Sequence, residues 1–312
     1  MSSRTGHEKL LALPDGRTLA YEDGGVTSSS IVVIFLTGLL SVGTVSRLSP
    51  ALQTKGVHYI APTLPGYGNT SPSSSGIPYS ITIAKDISAL LTHLHPNTTE
   101  LELYISGGSF GTVPAQMLYG APFHLFPQGR CIRGMLLLGA FPPFVQDDKT
   151  GFDYTRSMNW RDYISVGPLS RFIPFRMLQH LAKLVIQSKL SSQEKAEGFI
   201  RELLFNKMGE EEKEMYRTWR SKTGYEEGQL AREMAENNRR SVEKTWEGFL
   251  STPEVLNSDW GWGVELGGLD EEHTAGRRVM IVAGTEDDAT TIEWGRYLAS
   301  RYPNSRLQTH TR

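Results

Sequence analysis

The sequence predicts an α/β protein with a doubly wound, mostly parallel sheet and a helical insertion. Short apolar runs rich in β-branched residues alternate with helical patterns in both halves of the chain, which is typical of parallel strands joined by crossover helices. Residues 145–270 interrupt this alternation with helical periodicity and hold five of the six tryptophans. We therefore expect a core in two parts, 1–144 and 271–312, and a helical cap formed by 145–270.

The elements are predicted in chain order from local patterns. Residues 10–21 predict two strands around the Asp15-Gly16 turn, because Asp-Gly between apolar runs favours a hairpin. Continuous apolar runs predict buried core strands over 31–36, 58–61, 101–105, 134–139 and 278–283. Helical spacing of apolar residues predicts helices over 83–94, 112–119, 172–190, 193–220 and 290–302. A final strand is expected over 305–311.

Composition and charge exclude several classes of protein. Hydrophobic residues make up 39% of the 312 residues and aromatic residues 10%, which is enough for a core and excludes general disorder. A net charge of −2 leaves no basic excess for nucleic acid. The single cysteine, Cys131, excludes an internal disulfide and argues against cysteine-ligated zinc. The polar first ten residues indicate no signal peptide, and no apolar run is long enough to span a bilayer.

The strongest chemical signal is Gly107-Gly108-Ser109-Phe110-Gly111, a Gly-x-Ser-x-Gly motif between a predicted strand and a predicted helix. A serine on such a sharp turn adopts a strained backbone conformation, so the residues two positions away must lack a Cβ. The turn pushes Ser109 Oγ out of the sheet. It also places the Phe110 N–H at the start of a helix, where a developing negative charge is favoured.

Together with four other segments, this motif resembles the α/β-hydrolase superfamily in its lidded branch. The matching segments, in family order, are the strand 31–36 with its turn Thr37-Gly38-Leu39, Pro65-Gly66-Tyr67-Gly68, the serine motif, a strand ending at 139–143, and 282–287. The resemblance implies that Ser109 is a nucleophile. Because this position holds serine and not aspartate, it favours cleavage of esters, thioesters or amides over opening of epoxides or haloalkanes.

The resemblance also implies an oxyanion hole and an acid. The backbone N–H groups of Leu39 and Phe110 would hold the oxyanion; Thr37 stands where relatives usually carry histidine, but a backbone donor tolerates that change. Asp287, in the Gly-x-x-Asp segment 284–287, is the expected acid, with Glu286 and Asp288 as adjacent competitors. The pair 147–148, after the strand 134–139, is a second place for an acid.

The expected triad also requires a histidine. The order Ser-Asp-His leaves only His310 after Asp287. The predicted helix and final strand occupy the chain up to that point, so His310 is expected within or at the edge of the strand, short of a catalytic loop. The sequence therefore reads as if it stops before the last loop and helix of the fold.

Two functions remain open at this stage. The first is a cytoplasmic serine hydrolase without metal or cofactor, acting on a small to medium, moderately apolar acyl substrate, with Ser109, Asp287 and His310 as its triad. Transfer of the acyl group to an acceptor other than water is not distinguishable from hydrolysis. The second is a catalytically incomplete hydrolase-fold protein that binds a ligand or a partner. The sequence does not indicate an oligomeric state.

Overall fold

The computed structural model describes residues 7–310 except 47, 98, 145, 148–149, 173–175 and 262–268. Within this part of the chain, a central sheet has the strand order β1-β2-β4-β3-β5-β6-β9-β10. Its strands are β1 (Lys9–Ala12), β2 (Thr18–Gly25), β3 (Ile31–Leu36), β4 (His58–Pro62), β5 (Glu102–Gly108), β6 (Ile132–Leu138), β9 (Arg278–Gly284) and β10 (Ser305–His310). A separate small ribbon pairs β7 (Gln146–Asp147) with β8 (Phe152–Asp153).

Parallel pairing dominates the sheet, as the sequence predicts. Strand β2 is antiparallel to β1 and β4, whereas β4, β3, β5, β6, β9 and β10 run parallel. Parallel strands place their carboxyl ends at one edge of a sheet. The register aligns Leu36 with Gly107 and Gly108 with Leu138, so the loops that follow β3, β5 and β6 emerge side by side.

The helices follow the strands and supply much of the core. They are α1 (Pro50–Thr54), α2 (Tyr79–Leu94), α3 (Thr112–Tyr119), α4 (Trp160–Ser165), α5 (Met177–Lys189), α6 (Gln193–Ile200), α7 (Glu210–Thr223), α8 (Gln229–Val242), α9 (Glu247–Leu250), α10 (Thr252–Leu256), α11 (Glu271–Thr274) and α12 (Ile292–Arg301). Helix α2 buries Ile83, Ile87, Leu90 and Leu91, the stripe expected of an amphipathic helix. Helix α3 is buried along its whole length.

The single helix predicted over 193–220 is wrong. The structure has α6, a π-helical turn over Arg201–Phe205, and then α7. Helix α7 starts anew because the Glu212 side chain accepts a hydrogen bond from the Gly209 N–H at 2.9 Å, which satisfies a donor that a continuous helix would use internally. Helical periodicity alone did not reveal this break.

The helices between residues 145 and 270 contact loops that follow several sheet strands. The Gly248 N–H donates to the Gly66 carbonyl at 3.0 Å, and the Gly68 N–H donates to the Ser241 carbonyl at 2.7 Å. Gly66 and Gly68 both belong to the loop after β4. At the other side, the Trp294 indole N–H donates to the Tyr154 carbonyl at 3.1 Å. The division of the chain into 1–144, 145–270 and 271–312 stays a prediction.

Candidate active site

Ser109 lies on the turn between β5 and α3. Strand β5 runs to Gly108, three residues beyond the predicted strand end, and Ser109–Gly111 form one 3-10 turn before α3. Ser109 has a φ of 50°, in the left-handed region that a non-glycine residue adopts at a cost. Its side chain is exposed, whereas Phe110 is 1% exposed. The predicted strand–turn–helix geometry at Ser109 is therefore confirmed.

The two outer glycines of the motif are required by close backbone contacts. A Cβ on Gly107 would lie 2.8 Å from the Thr112 nitrogen. A Cβ on Gly111 would lie 2.6 Å from the Thr37 carbonyl oxygen and would overlap the Leu36 carbonyl. Real side chains do not approach so closely, so only glycine fits at both positions. The turn is thus held against the carboxyl end of β3.

The turn after β3 lies directly beside the serine. A Cβ on Gly38 would sit 3.4 Å from Ser109 Cβ and 3.9 Å from Ser109 Oγ. The next two residues are Leu39, the expected oxyanion donor, and Leu40, whose φ is 55°. Each of the two segments that meet here therefore contains one non-glycine residue with positive φ, Ser109 in one and Leu40 in the other. The role of the Leu39 and Phe110 amides stays a prediction.

An asparagine from the helical segment fixes this turn three residues after Leu39. The Asn237 side chain on α8 accepts from the Val42 N–H at 3.0 Å and donates to the Val42 carbonyl at 2.9 Å. One amide side chain thus satisfies both backbone groups of Val42. The Gly43 N–H donates to Thr63 Oγ1 at 2.9 Å. These bonds tie the turn to α8 and to the loop after β4.

Tyr67, in the loop after β4, packs against the helical segment. Its side chain is 1% exposed, and a Cβ on Gly248 of α9 would overlap its ring. Burial raises the pKa of the Tyr67 hydroxyl, and this oxygen has no hydrogen-bond partner among the described residues. The close contact with Gly248 thus joins the loop after β4 to α9.

Asp287 lies at the carboxyl end of β9, on the same edge of the sheet. A Cβ on Gly139, the residue after β6, would lie 3.7 Å from Asp287 Oδ2. Its carboxylate accepts from the Ala289 N–H at 2.8 Å, the Thr290 N–H at 3.0 Å and Thr290 Oγ1 at 2.5 Å. The carboxylate thus braces its own loop. Its neighbours Glu286 and Asp288 are exposed.

Asp147, the second candidate acid, contacts helix α12. Asp147 is 6% exposed, and its Oδ2 accepts from the Tyr297 hydroxyl at 3.3 Å and lies 3.9 Å from Arg301 Nη1. Both partners belong to α12, so this carboxylate anchors the β7–β8 ribbon to that helix. Asp148 lies outside the described residues.

His310 lies in the last strand, as the element count predicts. It is the final residue of β10, paired with Gly284, and its carbonyl accepts from the Thr285 N–H at 2.9 Å. Its exposed ring lies 3.0 Å from Gln308 Nε2. Among the described residues, neither His310 nor any other histidine hydrogen bonds to Ser109 or Asp287. The three residues of the expected triad share one edge of the sheet but do not form a hydrogen-bonded chain.

The remaining histidines have other positions. His7, His93, His124 and His180 are exposed. His273 is held by Asp270 at 2.7 Å and stacks on Phe123. His58 and His95 pair with each other at 2.7 Å, near the amino end of β4. Within the described ranges no group of three or more His, Cys, Asp or Glu side chains has the arrangement of a metal site.

Three residues that shape the site were missed in the sequence. Asn237 and Thr290 are short polar residues without a motif, and Tyr67 was noticed only as part of Pro-Gly-Tyr-Gly. Asn237 bonds the backbone of Val42, far away in the chain, and Thr290 bonds Asp287 three residues earlier, a spacing that belongs to no motif. The glycines on either side of Tyr67 were the one signal in the sequence, and in the structure both Gly66 and Gly68 have positive φ.

Comparison with known proteins shows the fold. No family model and no curated protein matches the chain. An epoxide hydrolase from Vigna radiata is similar in structure, with a TM-score of 0.58, 18% identity and coverage of 100% of this chain and 92% of that one. An esterase from Exiguobacterium antarcticum has a TM-score of 0.56 and 18% identity, with coverage of 97% of this chain and 90% of the esterase. An α/β hydrolase from Sphaerobacter thermophilus has a TM-score of 0.50 and 14% identity, with coverage of 96% of this chain and 91% of that one. The protein therefore has the α/β-hydrolase fold, as the sequence predicted.

None of the helices in the described part of the chain has both the length and the hydrophobicity needed to cross a bilayer.

Proposed function

We propose that the protein is a serine hydrolase-fold protein that is acylated at Ser109 by small to medium, moderately apolar carboxylic esters. The observation that carries the proposal is the exposed Ser109 with a φ of 50° at the β5–α3 turn. This conformation presents a hydroxyl at the start of a helix, where the dipole favours the negative charge of an oxyanion.

The oxyanion would be held by the N–H groups of Leu39 and Phe110. The first of these segments passes close to the serine, since a Cβ added to Gly38 would lie 3.9 Å from Ser109 Oγ. Two backbone donors on separate, braced segments cost no reorganisation when charge develops on the substrate oxygen. Esterase structures among the similar folds agree with an acyl substrate, and the amino acid at the nucleophile position agrees as well.

Turnover is expected to be slow. Serine attack needs a base within about 2.6–3.2 Å of the hydroxyl, and in the described residues no histidine hydrogen bonds to Ser109 Oγ. Without that base, a serine enzyme retains roughly a 10³–10⁴-fold acceleration from its oxyanion hole and binding. Asp287 would then act on the local loop, which it braces through Ala289 and Thr290, and only weakly on catalysis.

The helices of residues 145–270 would form a lid over this edge of the sheet. Their contacts with Val42, Gly66 and Gly68 support this placement, because these residues follow β3 and β4. A lid here would bound the space above Ser109 and select substrates by size and polarity.

Labelling with a fluorophosphonate serine probe tests the proposal. The probe reacts fastest with serines that a base activates, so with the oxyanion donors alone we expect slow labelling of the wild-type chain and none of Ser109→Ala. Ser75→Ala, at an exposed serine in the loop before α2, is the control and should label like the wild type. Absence of wild-type labelling would refute acylation at Ser109.

Hydrolysis of a 4-nitrophenyl ester tests the role of His310. We expect slow release of nitrophenol that Ser109→Ala abolishes and His310→Ala leaves unchanged. Fast turnover that both substitutions abolish would show that His310 is the base after all.

One observation favours a non-catalytic second candidate, a ligand-binding module on the same fold. The Asp287 carboxylate accepts its three hydrogen bonds from its own loop and none from a histidine. Binding of a 4-nitrophenyl ester to the Ser109→Ala variant, together with no labelling of the wild type, would support this candidate.

A further inference from the structure

A groove outside the candidate active site runs along β1 at one end of the sheet. Its volume is about 720 Å³, which is large enough to hold several side chains or a small molecule. Strand β1 and its turn form one wall through Leu11, Leu13 and Pro14. Helix α2 forms the other through Ala89 and Thr92, and Leu125 closes one side. We call it the edge groove.

The strand that forms its wall offers unpaired backbone groups. The Leu13 N–H donates to the Arg17 carbonyl at 2.8 Å, and hydrogen-bonded pairs alternate along an antiparallel ladder. The backbone groups of Leu11 therefore point towards β2, and those of Leu10 and Ala12 point to the outer edge. The partner strand agrees with this alternation. Ala20 of β2, which lies opposite Leu10, donates its N–H away from β1, to Thr70 Oγ1 at 3.0 Å.

In the described residues the edge of β1 is open, although the strand is only four residues long. In the described residues β1 ends the strand order of the sheet, and Leu10 is 61% exposed. Exposed edge strands usually carry charges, proline or a covering segment that prevents pairing with another chain. Lys9 is the one charged residue of β1, and its ammonium lies 2.6 Å from Asp23 Oδ1.

Charges along the groove nearly cancel. The Arg17 guanidinium donates to Asp15 Oδ2 at 2.8 Å and to Asp86 Oδ2 at 3.0 Å, and Lys85 adds a second positive charge. Two acids thus face two cations. A neutral wall lined with leucine, alanine and proline favours uncharged, apolar side chains over a charged ligand.

We propose that the edge groove binds an extended peptide segment with alternating apolar side chains, which adds to β1 as a further strand. The backbone of the peptide would pair with Leu10 and Ala12, while every second side chain would enter the groove between β1 and α2. Such strand addition combines backbone hydrogen bonds for affinity with pockets for alternate side chains. A small apolar molecule would fill the groove but leave the strand edge unpaired.

A second copy of this chain fits less well. Two β1 strands paired edge to edge would extend the sheet, and the groove-facing Leu11 and Leu13 of each copy would stay over their own α2. The groove would therefore remain unfilled. A free peptide satisfies the edge and the groove together.

The test uses a fluorescent, end-capped nonapeptide in which leucine and valine alternate with threonine between terminal lysines. Two control peptides have the same side chains, with backbone N-methyl groups on one or the other alternate set of residues. We expect fluorescence anisotropy to show binding of the parent peptide. One methylated set should bind at least about tenfold more weakly, because its donors face β1, and the other should bind like the parent.

Two variants locate the site. Ala12→Pro removes an outward N–H without breaking the β1–β2 ladder, and Ala89→Phe fills the groove; each should weaken the parent peptide by at least about tenfold. Ala12→Thr keeps the N–H and should bind like the wild type. Urea unfolding of each variant establishes that it is folded.

Three outcomes would overturn the proposal. The first is equal binding of all three peptides, which would indicate an apolar small-molecule site. The second is no binding of the parent peptide at millimolar concentration. The third is a wild-type protein that does not bind the peptide but forms dimers as its concentration rises. If Ala12→Pro abolishes these dimers, the edge belongs to a second copy of the chain.

Discussion

At the scale of single residues, the backbone of Ser109 shows a conflict between stability and chemistry. Its φ of 50° is one that glycine adopts freely and serine does not. A residue in this region persists only where the surrounding structure holds it, here the contacts of Gly107 and Gly111. The strain presents a hydroxyl at the edge of the sheet, and a residue selected only for folding would be glycine.

We therefore expect Ser109→Gly to raise the free energy of unfolding by about 0.5–1 kcal/mol while it removes probe labelling. Ser300→Gly, a change in the helical backbone of α12, should have the opposite sign. Urea denaturation measures both. A destabilised Ser109→Gly variant would show that the positive φ is not strained in this setting.

The flanking glycine makes a sharper steric prediction. Gly111→Ala should lower the free energy of unfolding by about 1–3 kcal/mol or more, since its Cβ would overlap the Leu36 carbonyl, and it should abolish labelling at Ser109. Gly198→Ala is the matched control. Its Cβ would meet nothing within 4 Å in α6, so we expect it to stabilise by about 1 kcal/mol.

These residues also show what one sequence reveals about a site. The Gly-x-Ser-x-Gly motif predicted the turn correctly because both glycines stand at fixed positions next to the serine, although the groups that exclude a Cβ at Gly111 are the distant carbonyls of Leu36 and Thr37. His310 was placed in the final strand by counting elements, which is also local information. The clamp between Asn237 and Val42 joins residues far apart in the chain, so no spacing rule could predict it.

At the scale of elements, the start of β4 and the end of α2 are joined by two imidazoles, the buried His58 and the half-buried His95. His58 Nδ1 lies 2.7 Å from His95 Nε2, and His58 Nε2 lies 3.2 Å from Asp23 Oδ2. Lys9 completes the cluster on Asp23. At this distance one facing ring nitrogen must donate and the other must accept, so protonation of both rings would place two N–H groups against each other.

Acidification should therefore weaken the fold. Burial lowers the pKa of both His58 and His95, although Asp23 raises that of His58. The unfolded chain then binds more protons than the folded one, so the contribution of this pair to stability is complete above about pH 6.5 and is lost as the pH falls below it.

Urea unfolding between pH 5 and 8 measures this dependence. We expect His95→Gln to flatten the fall in stability below about pH 6.5. His93→Gln, at an exposed position on the same helix, should leave it unchanged. An unchanged slope in His95→Gln would assign the acid sensitivity to other groups.

The elements themselves were predicted well where their patterns were strong. Strands with continuous apolar runs, such as Ile31–Leu36, match the structure from end to end. The break before α7 was missed because it depends on one side chain, Glu212, bonding the Gly209 N–H. Such competition between a side chain and the helix does not change hydrophobic periodicity.

At the scale of the whole molecule, the helical segment and the sheet meet at the candidate site. Asn237 on α8, Ser241 at its end and Gly248 on α9 each bond a loop that follows β3 or β4. The turn that holds Leu39 is therefore positioned by residues almost 200 positions later in the chain. We expect the helical segment to set the geometry of the oxyanion donors as well as cover them.

Asn237→Ala tests this coupling. It leaves the Val42 N–H and carbonyl without their side-chain partner, so we expect a loss of about 1–3 kcal/mol in the free energy of unfolding. The strained turn at Leu40 should also relax, which would move the Leu39 N–H. The probe should therefore label Ser109 more slowly in this variant than in the wild type, under conditions where urea unfolding shows that the variant is still folded. Asn238→Ala, the adjacent position on α8, is the control and should label at the wild-type rate. Equal labelling rates in the two variants, with the expected loss of stability in Asn237→Ala, would mean that the clamp holds the domain together without positioning the oxyanion donor.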